Sequence, residues 1–229
     1  MDAPKRRVRG SSLAGDSDCP EPVPMNDDLQ PSDHFPGAAY DVVALAASAG
    51  GLTAFSLVLS GLPAGFPAAI AIVQHLDPRH RSLMADILSR RTALSVREAC
   101  EGDHLAPGVV FIAPPNRHLL VNPDGSLSLS QSELVHFVRP SADLLFESAA
   151  ASYKDRSIAV VLTGTGSDGS MGVQAIKKMG GTVIVQDEAS SEFTGMPTSA
   201  LQTGAADFVL PLSEIAPALV RLVAKGEAR

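Results

Sequence analysis

The sequence predicts a doubly wound α/β domain: a mainly parallel sheet with helices on both faces and an inserted β-hairpin. Three observations carry that reading. From Tyr40 onward, short apolar runs rich in β-branched residues alternate with amphipathic segments, the pattern of βαβ units whose strands are buried on both faces. The alternation breaks once, mid-chain, where two strand-like runs flank Asp124-Gly125, a dipeptide suited to a hairpin turn. At 229 residues, 45% of them apolar, the chain can build one domain with a substantial core.

Taken in order, DVVALAAS reads as a strand and LTAFSLVLSGL as the helix after it. AAIAIVQH is a second strand and RSLMADILSRR a second helix. VVFIAPP gives a strand, and HLLVNPDGSLSLSQ folds back on itself as the hairpin. RPSADLLFESAAASY returns to helical spacing, and SIAVVLT, MGVQAIKKMG and GTVIVQD resume the strand–helix–strand rhythm. ADFVLP and LSEIAPALVRLVAKG supply a last strand and helix. Residues 1–38 are rich in Pro, Asp, Ser and Gly with scarcely any apolar periodicity. They are expected to form a disordered tail, leaving the domain at 39–225. No internal repeat of fixed period is present.

Composition excludes several classes. No apolar run reaches the roughly 18 residues a membrane span needs, so no membrane insertion is expected. The basic start MDAPKRRVRG lacks the apolar core of a secretory signal. Two cysteines, Cys19 and Cys100, are too few for a disulfide framework, so a reduced, cytoplasmic chain is expected. A net charge of -7 argues against a nucleic-acid partner, and the basic cluster Lys5, Arg6, Arg7, Arg9 reads as a solvated tail.

Three apolar runs end in residues suited to chemistry. DVVALAA runs into Ser48, AIAIVQ into His75, and SIAVVLTGTGS into Asp168. If these strands are parallel, their carboxyl ends share one edge of the sheet, where ligands of open α/β sheets bind. A serine hydroxyl needs an imidazole base, and the imidazole needs a carboxylate to fix its tautomer and stabilise the imidazolium. Each element has a plainer reading. Ser48 could be a helix N-cap, Asp168 could cap a helix beginning near Gly169, and His80, His104, His118 and His136 compete with His75. A rival motif is GTGSDG, Gly164 to Gly169, formally G-x-G-x-x-G with Asp187 about 20 residues on, as in dinucleotide-binding folds. Asp168 would set its charge against the pyrophosphate there.

Longer blocks add a resemblance. AASAGG, VQHLDP, APPNRHLLV, RPSADLLFESAA, VVLTGTGSDGSMG and TGMPTSALQTG resemble, in family order from about Tyr40 to Leu219, the catalytic domain of the chemotaxis protein-glutamate methylesterase family, CheB. The resemblance implies hydrolysis of γ-glutamyl methyl esters on the acidic signalling helices of methyl-accepting chemoreceptors. In some members it extends to deamidation of receptor glutamines. It implies Ser48 as nucleophile, His75 as general base and Asp168 as the orienting carboxylate, with no metal or cofactor. The oxyanion would be met near the N–H of Ala49, with Gly50 beside it and Thr165 walling the site. A receptor methyltransferase of the same pathway is a further expected partner. The first 38 residues are too few for the receiver domain that many members carry. Ala46 stands where a glycine is usual, which is expected to tighten the turn by one methyl group, Thr165 where some members have Met, and Val138 where a histidine is common. Arg79, Arg81 and Arg139 are candidates to meet an acidic receptor. A non-catalytic receptor-binding module of the same fold is the alternative from another functional class.

Overall fold

The computed structural model describes residues 34–75 and 83–224. Seven strands are parallel: β1 (Val42–Ala47), β2 (Ala69–Gln74), β3 (Ser95–Glu98), β4 (Val109–Ile112), β7 (Ser157–Val161), β8 (Thr182–Gln186) and β9 (Phe208–Leu210). They form one sheet in the order β3-β4-β2-β1-β7-β8-β9. The chain starts at the centre with β1, builds one half outward, and returns to β7 on the other side. A strand-order reversal therefore flanks β1, where doubly wound sheets bind ligands. Every residue of β1, β2, β7 and β8 is buried, which accounts for the continuous apolar runs: helices cover both faces, so neither face is left polar.

The helices are α1 (Gly51–Ser60), α2 (Met84–Ser89), α3 (Ala142–Tyr153), α4 (Ser170–Lys178), α5 (Gly195–Gln202) and α6 (Leu212–Val223). β5 (His118–Val121) and β6 (Leu127–Ser130) form the expected antiparallel hairpin, with Gly125 at φ 82° in its turn. Helices α3 and α4 lie unusually close, because a side-chain carbon on Gly172 would stand 2.6 Å from Phe146 Cβ. Among the described residues no helix is long and apolar enough to cross a membrane.

Two expectations need correction. The tail was to run to residue 38, yet Phe35 and Ala38 are buried in the core. Asp41 explains it: its carboxylate accepts from Phe35 N–H at 2.8 Å and from Arg156 at 2.6 and 2.9 Å, tying the approach segment to the sheet. Burial would raise the Asp41 pKa, but the Arg156 and Phe35 donors outweigh it and hold it below the usual carboxylate range. Ala46, expected to tighten a turn, instead lies within β1, paired with Val73 and Val161, where its methyl group is simply core. Cys100 is buried, and Cys19 lies outside the described residues. The basic cluster at residues 5–9, His80, Arg79 and Arg81 also lie outside them.

Candidate active site

Strands β2, β1 and β7 are neighbours in parallel register, with Ala47 opposite Gln74 and Ala46 opposite Val161. The residues that follow the last paired positions, Ser48 and His75, thus leave adjacent strands on the same edge. Ser48 N–H donates to Thr163 O at 3.0 Å and His75 N–H to Ala47 O at 3.4 Å, so the hydrogen-bond ladder runs right up to the site. Asp168, in the loop after β7, comes back over this edge.

Asp168 and His75 meet: His75 Nε2 lies 2.8 Å from Asp168 Oδ2. The carboxylate also accepts from Ser141 Oγ at 2.8 Å, Ala142 N–H at 2.6 Å and Asp143 N–H at 3.2 Å. It therefore sits on the N-terminus of α3, where orphan N–H groups and the helix dipole favour an anion. Burial pushes its pKa up, and the His75, Ala142 and Ser141 hydrogen bonds overcome that and hold it below the usual range. Asp168 is built to stay ionised. With Nε2–H given to Asp168, the neutral imidazole offers the lone pair of Nδ1. No hydrogen bond joins Ser48 Oγ to His75 among the described residues; the two residues follow paired positions of adjacent strands, and catalytic hydrogen bonds are often long without substrate.

The opposite wall is held by Thr163, a buried residue. Its Oγ1 donates to Ala49 O or Phe193 O, both at 3.2 Å, and accepts from Phe193 N–H at 2.8 Å. Gly164 packs so tightly on the Ser48 turn that an added Cβ would stand 2.9 Å from Ser48 Cβ and 2.4 Å from Met196 Sδ. Ala49 and Gly50 lie on the turn between β1 and α1, half-buried, with Gly50 at φ 77° in the left-handed region that favours glycine. Glu192 Oε2 lies over Gly50. Thr165 is exposed at the rim.

Other candidates are occupied elsewhere. Arg139 donates to Asn116 Oδ1 and to the carbonyls of Gln131 and Ser132, so it clamps a loop instead of awaiting an acidic partner. His118 is buried, accepts from Ser141 N–H on Nδ1 at 3.1 Å and donates from Nε2 to Glu133 O; burial lowers its pKa, which suits that accepting nitrogen. His136 lies 3.5 Å from Asp143 Oδ2. In GTGSDG the Gly164 N–H is given to Phe193 O and Asp168 turns its charge onto the N-terminus of α3, while Asp187 caps a turn at Ser190.

Sequence reasoning missed Ser141, Thr163 and Gln74, all buried polar residues at this edge. A serine just before a helical run signals the first. The other two stand at the ends of apolar strands beside the residues already singled out, a weaker signal.

Fold and site together have the form of a serine hydrolase on a doubly wound sheet. The chain belongs to the CheB methylesterase family, whose model matches residues 43–219. It is 47% identical over 188 residues to the protein-glutamate methylesterase FrzG of Myxococcus xanthus, covering 82% of this chain and 56% of that protein. It is 45% identical over 187 residues to a protein-glutamate methylesterase/protein-glutamine glutaminase of Moorella thermoacetica, covering 80% of this chain and 44% of the relative. The chain thus spans about half the length of these curated relatives. Against the crystal structure of the Thermotoga maritima CheB methylesterase catalytic domain the TM-score is 0.78 at 38% identity, with 81% of this chain and all of that chain covered.

Proposed function

We propose that this chain hydrolyses γ-glutamyl methyl esters on the signalling region of methyl-accepting chemoreceptors through a covalent Ser48 intermediate. The observation that carries the reading is the His75 Nε2–Asp168 Oδ2 contact of 2.8 Å, formed on the sheet edge where Ser48 leaves the adjacent strand. His75 Nδ1 takes the Ser48 proton, and Oγ attacks the ester carbonyl. The oxyanion forms against Ala49 N–H, on the turn that leads into α1. The protonated imidazole, steadied by Asp168, returns its proton to the departing methoxide, and methanol leaves. Water, deprotonated by His75, then cleaves the acyl-enzyme to the glutamate carboxylate.

A γ-carboxamide can follow the same course with ammonia leaving. Deamidation of receptor glutamines is part of the proposal, supported by the combined methylesterase/glutaminase name of the Moorella relative. A cytoplasmic location and a receptor methyltransferase in the same pathway go with this reading.

The test is methanol release from a methylated receptor fragment by wild type, Ser48→Ala and His75→Ala, with Ser48 labelling by a fluorophosphonate. Turnover and labelling by wild type, with turnover falling by about 10³-fold or more in both variants, is expected. A folded wild type that labels nowhere and releases no methanol from a panel of receptors overturns the reading in favour of a binding module.

A further inference from the structure

Gln74 is the last residue of β2 and is almost fully buried. Its side-chain amide donates from Nε2 to Ser48 O at 2.7 Å and to His75 O at 3.3 Å. Two carbonyls at one end of the amide fix which end is the NH2 group. The other end, Oε1, is buried without a hydrogen-bond partner. It is wedged against the start of α1: an added Cβ on Gly51 would stand 2.0 Å from it.

As a packing device this is a poor one. Ser48 O already accepts from Gly51 N–H at 2.9 Å, so the carbonyl does not need the amide. A buried acceptor left unpaired costs about 1–3 kcal/mol, which a methionine of similar volume would avoid. The arrangement makes sense through the geometry of the Ser48–Ala49 peptide. The one cis bond among the described residues is Arg139-Pro140, so the Ser48–Ala49 unit is trans and its C=O and N–H point in opposite directions. Pinning Ser48 O from two sides, by Gln74 Nε2 and Gly51 N–H, aims Ala49 N–H the other way. Among the described residues that N–H has no acceptor. The same amide reaches the carbonyl of the residue that carries the base.

We infer that Gln74 is the positioning residue of the oxyanion hole, locking the Ser48–Ala49 peptide so that Ala49 N–H faces the developing oxyanion, and tying that peptide to the backbone of His75. This rests on Ser48 being the nucleophile. Gln74 never touches the substrate. A fixed donor stabilises the transition state more than the bound ester, so its loss acts on kcat.

The experiment compares wild type, Ser48→Ala, Gln74→Met, Gln74→Leu and Gln74→Glu on a receptor-derived peptide carrying a glutamyl methyl ester and on its thionoester. A hole shaped for oxygen discriminates against the larger sulfur, so the oxygen-to-sulfur rate ratio reads the hole and not general stability. Gln74→Met is expected to lower kcat on the ester by about 10- to 100-fold with KM within about twofold, to shrink the ratio, and to unfold no earlier than wild type. Gln74→Glu, when buried and neutral, keeps the shape and one O–H donor toward the two carbonyls, so it should retain more kcat than Gln74→Met; Gln74→Leu removes the donor without charge and covers the case where Gln74→Met fails to fold. Equal slowing of both substrates, or wild-type kcat in folded Gln74 variants, overturns the inference while Ser48→Ala remains dead. Retained turnover in Ser48→Ala would instead sink the nucleophile reading.

Discussion

Asp143 invites a substitution that should strengthen the protein. Its Oδ1 accepts from Met171 N–H at 2.9 Å and Gly172 N–H at 2.7 Å, holding the first turn of α4. Its Oδ2 is buried with no hydrogen bond. Burial, joined by the nearby charge of Asp168, pushes its carboxyl up to about 6 against the pull of those two N–H groups. An acid whose folded value lies above its unfolded 3.8 holds its proton more tightly when folded. Its contribution to stability is therefore full below about pH 4 and is lost as the pH rises through about 6. From 3.8 to about 6 corresponds to on the order of 3 kcal/mol favouring the neutral form. In Asp143→Asn the amide oxygen can still serve both N–H groups, and an NH2 group replaces the charged oxygen that lacks a hydrogen bond and stands 3.5 Å from His136. The substitution should gain about 1–3 kcal/mol at pH 8 and almost nothing at pH 4, a rise in Tm of roughly 2–12 °C at the higher pH for a domain of this size. Urea unfolding of both proteins at the two pH values measures it. A loss of stability at pH 8, or the same gain at both values, would show that the buried charge is not what this site suffers from.

Other outcomes follow from contacts already described. Asp168→Asn places an NH2 group against donors from His75 and Ala142 or from Ser141 and Asp143, so turnover should fall by about 10⁴-fold with a stability loss of about 3–5 kcal/mol, read by methanol release and denaturant titration. Gly164→Ala drives a methyl group into Ser48 and Met196; Ser48 labelling should slow at least about tenfold with about 1–3 kcal/mol of destabilisation. The lowered Asp41 and Asp168 values add stability above about pH 4 that disappears as the pH falls through their folded values. Acid unfolding should accordingly move to higher pH in Asp41→Asn, and an unchanged acid midpoint would count against the Arg156 clamp.

The sheet was legible because its strands are buried on both faces, which writes continuous apolar runs into the sequence. β3 was not: it is an edge strand whose SVRE offers no such run. α5 was missed because Gly195 and Pro197 fill its first turn and read as loop, although proline is tolerated at a helix start. Ser48, His75 and Asp168 stood out because each directly ends a strand or its turn. What stayed hidden were the residues that aim them. Ser141 donates to the Asp168 carboxylate 27 residues on and Gln74 to the Ser48 carbonyl 26 residues back, and only the folded register brings those groups within reach. The turn at His136 and Phe137, both at positive φ, could not be anticipated either, since glycine or asparagine is the usual occupant of such a turn.

Asp168 is the start of α3 as much as it is the partner of His75. A single carboxylate closes a helix end, receives the imidazole and lies between segments that are 93 and 25 to 27 residues away in the chain. The site and the fold therefore share one joint. A molecule in which α3 has frayed loses its chemistry before it loses its shape, so residual turnover during mild denaturation is a sensitive gauge of that helix end. By the same logic, an inert Asp168 variant is not a wild-type scaffold minus one function, and receptor-trapping work would do better with Ser48→Ala.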